Sequence, residues 1–324
     1  FPALFLLHLT LSNDVLAVLL GGCLLLLLWR LADAKEPPPG RLSWLAAGAL
    51  LGLALLAKLS ALGLGPALLM AVYVAGQGGE RSGPSDDVTT RRAPSLSLRL
   101  LLCAAGLSLV ISPWLAWNLA TSGTPLPLRM DEQTYDAAPD GYFTSFRFAA
   151  LLAEPFEVTG GHGILQRLDS PNPVDTSMPT RAYSLFFNES LGYLSPAPPA
   201  LVVALYLAGL FVVLLVLVGC LRSLWPPERG SRDGVGLIAV AAALSGLAFL
   251  TAFNLAYPSW KLVHAKAIFV MPVFPAFVVL YARGLVALRD SGSRPWGHVV
   301  YSGHLIAQAL FILHALVIIM ENGL

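Results

Sequence analysis

Charge is scarce in this chain. Only 12% of its 324 residues are Asp, Glu, Lys or Arg, against about 25% in a soluble domain. The formal net charge is +1, which excludes the basic surface that nucleic acid requires. Cysteine is nearly absent. Cys23, Cys103 and Cys220 each lie in an apolar run and read as small buried hydrophobes, not as a disulfide set or a metal site. Histidine offers no metal pair either: His162, His264, His298, His304 and His314 show no i, i+4 spacing, and His8 stands alone. Nucleotide-binding loops, a Ser-His-Asp set and zinc motifs are all missing. The chain opens on Phe1 with no basic stretch before an apolar core, so no signal peptide is visible. The expectation is a piece whose earlier membrane helices are missing.

What is plentiful is hydrocarbon. Apolar residues make up 56% of the chain and the mean hydropathy is +0.71, which places it in a membrane. A span needs about 20 apolar residues. Windows of that kind cover 15–31, 42–57, 59–75, 100–120, 200–221, 235–256, 267–288 and 299–320, with a truncated run at 1–11. The expected fold is all-α and polytopic, with about eight full transmembrane helices plus the truncated first one. Residues 1–120 form a first helical group, 121–195 one long outer loop, and 196–324 a second helical group. The windows 42–57 and 59–75 are short. Lys58, Ser60, Gly63, Gly65 and Pro66 weaken a continuous helix there, so two helices meeting near Lys58 are expected.

The few charges sort by side. Alternate connections carry Arg30, Lys35 and Arg41; Arg81, Arg91, Arg92 and Arg99; Arg222, Arg229 and Arg232; and Arg283, Arg289 and Arg294. The positive-inside rule makes these four cytoplasmic. Asp14, Lys58, Lys261, His264, Lys266 and the long loop then share the opposite, outer face. The loop is rich in aromatics, which argues for order, and Asn188-Glu189-Ser190 within it is a glycosylation acceptor on the correct side. The stretch 76–94, rich in Gly, Ser and charge, reads as a cytoplasmic linker.

Four clusters stand out. Ser12-Asn13-Asp14 precedes an apolar helix; Asp14 is an N-cap, or it also lines a polar cavity. Lys58 stands at the tip of the helix pair and either snorkels to the headgroups or meets a ligand. Ser112-Pro113-Trp114-Leu115-Ala116-Trp117-Asn118, followed by Gly123-Thr124-Pro125, takes a helix out through an aromatic belt into a turn. Lys261, His264 and Lys266 share one short outer loop and suit a phosphate or diphosphate headgroup.

These pieces resemble, in order and spacing, the polytopic glycosyltransferase C superfamily, in particular its protein-mannosyltransferase-like branch. The resemblance rests on Ser12-Asn13-Asp14, on Gly52-Leu53-Ala54 with Lys58, and on 113–118 with Gly123-Thr124-Pro125. Its last part is His264-Ala265-Lys266 running into Met271-Pro272-Val273-Phe274-Pro275 and Tyr281-Ala282-Arg283-Gly284. It implies an all-helical core and transfer of a sugar from a polyprenyl (dolichyl-type) phosphate donor to a protein, lipid or glycan acceptor. The reaction would run on the lumenal face of the endoplasmic reticulum membrane in a eukaryote, or the periplasmic face of the inner membrane in a bacterium. Lys58, Lys261, His264 and Lys266 would hold the departing phosphate. Asp14 would position the acceptor or a divalent cation, no cofactor being certain. The family's catalytic acid lies in the first outer loop, and this chain begins two helices too late to contain it. Asp131, Glu132 and Asp136 read as solvated loop acids.

Two other classes compete. A multi-pass transporter or scramblase would also carry intramembrane polar residues, but the spans show no evident inverted repeat or paired broken helices. A non-catalytic membrane subunit is the third reading.

Overall fold

In a computed structural model, the described residues are 13–33, 40–79, 94–125, 199–225, 233–256, 270–291 and 294–321. Within them the chain forms eight α-helices and no strand: α1 Asn13–Ala32, α2 Arg41–Ala57, α3 Gly65–Gly79, α4 Leu96–Ser122, α5 Pro199–Leu224, α6 Gly234–Ala256, α7 Phe274–Ser291 and α8 Arg294–Glu321. Two short 3-10 turns, Leu59–Leu64 and Met271–Val273, lead into α3 and α7. Seven of the spans are long and apolar enough to cross a membrane; Arg41–Ala57 is the shorter eighth. The protein is an all-α polytopic membrane protein. Helices suit this solvent because each satisfies its own backbone.

The bundle is drawn tight by glycine. Apolar burial does little to hold helices together in lipid, so close backbone approach has to. A Cβ on Gly48 of α2 would fall on the carbonyl of Cys103, and one on Gly106 of α4 would fall on that of Leu45. The same reciprocal fit joins α5 and α7: Gly219 faces the Leu280 carbonyl and Gly284 faces that of Leu215. The buried core lies between α1, α2, α3, α6 and α7, with Trp44, Leu24, Leu28, Leu64, Ile238 and Leu280 fully enclosed. By contrast α4 and α8 flank it; among the described residues only 11% of each apolar span is buried.

Contacts between the helices support the alternation deduced from arginine. At one end, Arg99 of α4 reaches Val72 and Gly76 of α3, and Gly234 of α6 lies against Val74 and Ala32. At that same end Arg283 of α7 is paired with Asp233 before α6. Asp233 also caps α6, its Oδ1 accepting from Gly236 N at 3.0 Å. This end carries Arg30, Arg41, Arg99, Arg222, Arg283 and Arg289, and we call it the inner end. Among the described residues, Lys58 is the one Lys or Arg in the outer half.

Candidate functional site

The two helices expected at residues 42–75 are present, and they part at Lys58. Its backbone is extended, with φ −159° and ψ 129°. The Lys58 N–H closes α2 on the Ala54 carbonyl at 2.9 Å, and its carbonyl accepts from Ala61 N at 3.0 Å to start the 3-10 turn. Pro66 then opens α3, where a missing N–H costs nothing. Lys58 itself is half-buried.

A second interruption was not anticipated. The run 267–288 is not one uniform helix in its described part: Met271–Val273 is a 3-10 turn before α7. Pro272 and Pro275, three apart, are the signal for it, because each proline disfavours helix in the residue before it. The two turns pack against each other and are wedged between α1 and α6. Gly21 of α1 faces the Pro272 carbonyl. Gly63 lies against the backbone of Gly246, and Gly246 against Val273. The Ser245 hydroxyl donates to the Gly63 carbonyl, sharing its proton with Ala241 O at 2.6 Å. Non-helical backbone at membrane depth is tolerated only where protein encloses it in this way.

The depth of these turns follows from helix rise, about 1.5 Å per residue. Gly246 stands twelve residues above the inner start of α6 and ten below its end at Ala256, or about 18 and 15 Å. Gly21 stands eight residues from the outer end of α1 at Asn13, about 12 Å. Gly52 of α2 packs on Val110 of α4. Beyond that level α2 adds five residues to Ala57, and α4 adds twelve to Ser122. Lys58 therefore stands about 10 Å below the outer end of α4. The outer ends of α1, α4 and α6 rise above Lys58 and the two 3-10 turns; Lys58 is level with Trp114 and Trp117 of α4, and the turns lie deeper, beside Gly21 and Gly246.

The walls carry polar groups. Asn13 and Asp14 are the first two residues of α1. The helix has thus already begun at Asp14, which is not its cap; the side chains of Asn13 and Asp14, and Ser12, lie outside the described residues. On α4, Trp114 and Trp117 are exposed, as an interfacial belt requires. Asn118 is 9% exposed and its Nδ2 donates to the Pro125 carbonyl at 3.2 Å. Gly123, at φ 70°, turns the chain back, a conformation that favours glycine. This is the exit turn expected at 112–125. In the outer half, Ser60 Oγ and His314 Nδ1 are buried without a hydrogen-bond partner. Neither was singled out by the sequence, since neither lies in a polar cluster.

Lys261, His264, Lys266 and Asn188 lie outside the described residues, as do Asp131, Glu132, Asp136 and most of the long loop 121–195. Of the expected phosphate ligands the structure thus describes Lys58 alone. Among the described residues no three His, Cys, Asp or Glu side chains gather as metal ligands. No family model, curated protein or solved structure matches the chain.

Proposed function

We propose that this chain belongs to a membrane glycosyltransferase that moves a sugar from a polyprenyl-phosphate donor to an acceptor at the outer face. The observation that carries the reading is the position of Lys58: among the described residues it is the one Lys or Arg in the outer half, level with the Trp114–Trp117 belt of α4. That is the level at which headgroup phosphates lie and a lysine side chain meets them. A lipid-linked donor brings its own phosphate to the membrane, and the sugar leaves that phosphate as the bond breaks. A cation in a water-poor site stabilises the charge that develops, a contribution of several kcal/mol. Lys58 has that role in the proposal, with Lys266, four residues before Val270, as its partner. A carboxylate must take the acceptor's proton. In the proposal Asp14 orients the acceptor.

The test is a transfer assay on the full-length protein in membranes, with the lipid donor varied. Lys58→Gln should cut transfer at least about tenfold, equivalent to about 1.4 kcal/mol of lost phosphate stabilisation. Lys58→Arg should keep part of the rate, since the charge survives while the geometry changes. Wild-type transfer by Lys58→Gln would defeat the assignment.

One observation favours a second reading. Two non-helical turns packed together inside a helical bundle, Leu59–Leu64 and Met271–Val273, are also what a transporter or scramblase uses at its binding site. Liposomes containing the protein would separate the two. Lipid scrambling or solute flux, with no sugar transfer from any polyprenyl-phosphate donor, would select this alternative.

A further inference from the structure

The inner end holds a buried cation whose surroundings ask for an anion. Arg99, the fourth residue of α4, is only 3% exposed. Its guanidinium carbon stands 5.5 Å from the centre of the Trp44 ring, a cation–π contact. Nη1 donates to the Val72 carbonyl at 3.4 Å, a long bond, and Nε has no partner. Trp44 is fully buried and its Nε1 is also without a partner; so is Nε1 of Trp29, near the inner end of α1. Arginine and indole nitrogens only donate. Three buried donors without acceptors at one end of a bundle are unusual, because buried polar groups are normally paired. Within the described residues Arg99 makes no ion pair with a carboxylate.

We infer that Arg99, backed by the Trp44 indole, binds the phosphate of an anionic phospholipid in the inner leaflet. Three features favour lipid over an internal counter-charge. Arg99 lies in the first turn of a span at the inner end, the level of the headgroups. Among the described residues only 11% of the apolar span that carries it is buried, and Leu96 and Leu100 beside it are exposed. The adjoining stretch 80–93 carries no net charge, Glu80, Asp86 and Asp87 being balanced by Arg81, Arg91 and Arg92. A guanidinium binds phosphate through two parallel hydrogen bonds, and Nε is one of the donors that geometry uses. A small shift of this side chain, still in contact with the Trp44 ring, opens Nε to a phosphate from the flank where Leu96 and Leu100 are exposed.

The experiment is lipid binding to the full chain in neutral detergent, read by native mass spectrometry with phosphatidylglycerol and phosphatidylcholine. The wild type should prefer phosphatidylglycerol at least about tenfold. Arg99→Gln should lose that preference, Arg99→Lys should keep part of it, and Trp44→Phe, which retains the ring but not the N–H, should weaken it about threefold. If Arg99→Gln does not fold, Arg99→Lys and Trp44→Phe carry the test. An unchanged preference in these variants overturns the proposal. So does protection from heat by inorganic phosphate equal to that by phosphatidylglycerol, which would make the ligand a free anion. A third contrary result would be that neutralising Glu80, Asp86 and Asp87 together destabilises the protein as much as Arg99→Gln, with no response to lipid.

Discussion

The hydroxyl of Ser245 donates to the carbonyl of Gly63, joining two residues 182 positions apart. Gly63 lies in a 3-10 turn, where carbonyls are less well paired than in an α-helix. Ser245 therefore fixes the first interruption onto α6 at the depth where water cannot do so. Interhelical hydrogen bonds of this kind contribute about 1 kcal/mol in membrane proteins. Ser245→Ala should lower stability by about that amount, measured by reversible unfolding in mixed micelles. A variant as stable as wild type would mean that the Gly63 carbonyl has another adequate partner.

Glycines at helix crossings and glycines in open space should respond oppositely to alanine. Gly48→Ala and Gly284→Ala place a methyl on a neighbouring backbone carbonyl. Each should destabilise by about 1–3 kcal/mol, the usual cost of overpacking. At Gly65, a methyl would meet nothing within 4 Å and the backbone is helical, with φ −57°. Gly65→Ala should be neutral or stabilise by up to about 1 kcal/mol through the unfolded chain. Equal losses at all three positions would show that the crossings are looser than described.

Much of this fold is legible in the sequence because a lipid solvent constrains it so strongly. The expected window 42–57 and the observed Arg41–Ala57 differ by one residue, and the break at Lys58 follows from Ser60, Gly63, Gly65 and Pro66. Lateral pairing is another matter. Helices apolar on every side carry little information about which face meets which neighbour, so the partnership of Tyr281 with His304 across α7 and α8 could not be read beforehand. Arg99 is a sharper case. It reads as a cytoplasmic loop charge, yet α4 starts at Leu96, its Ser95 cap accepting from Leu98 N at 3.3 Å. That earlier start carries Arg99 into the bundle. At the candidate site the break at Lys58 was legible, but its level against α4 was not, because sequence windows give lengths without levels.

Side-specific labelling tests the assignment of the two ends. Ser97 and Thr124 are both exposed, at opposite ends of α4. With Cys23, Cys103 and Cys220 replaced, Ser97→Cys should react with an impermeant thiol reagent only from the arginine-rich side. Thr124→Cys should react only from the other. Reaction of both from one side would remove α4 as a span.

The Asp233–Arg283 pair ties the start of α6 to α7. Its side chains are 17% and 30% exposed, so water screens it only in part. Asp233→Asn alone also weakens the cap, and a double-mutant cycle with Arg283→Gln isolates the pair. The coupling should be about 1–2 kcal/mol, above the value for surface pairs. A coupling near zero would leave capping of Gly236 as the whole contribution of Asp233.

The last prediction concerns Lys266 and Lys261, and follows from where the chain re-enters the bundle. Val270 and the 3-10 turn after it are buried beside Gly21 and Gly246, and Lys266 precedes Val270 by four residues. An extended chain of that length spans at most about 14 Å. Lys261, nine residues before Val270, has a reach of about 30 Å and is under no such restriction. If Lys58 and Lys266 serve one phosphate, Lys266→Gln should lower transfer at least about tenfold without loss of membrane insertion, and Lys261→Gln should have the smaller effect. Combining Lys58→Gln with Lys266→Gln should cost less than the product of the two single losses, because groups acting on one phosphate are not additive. If the lysines instead attract anionic headgroups, each contributes about 1 kcal/mol near a charged surface. The losses would then be similar at 261 and 266, would multiply with that of Lys58→Gln, and would fade in neutral lipid. Transfer rates of these variants in anionic and neutral membranes decide between the two.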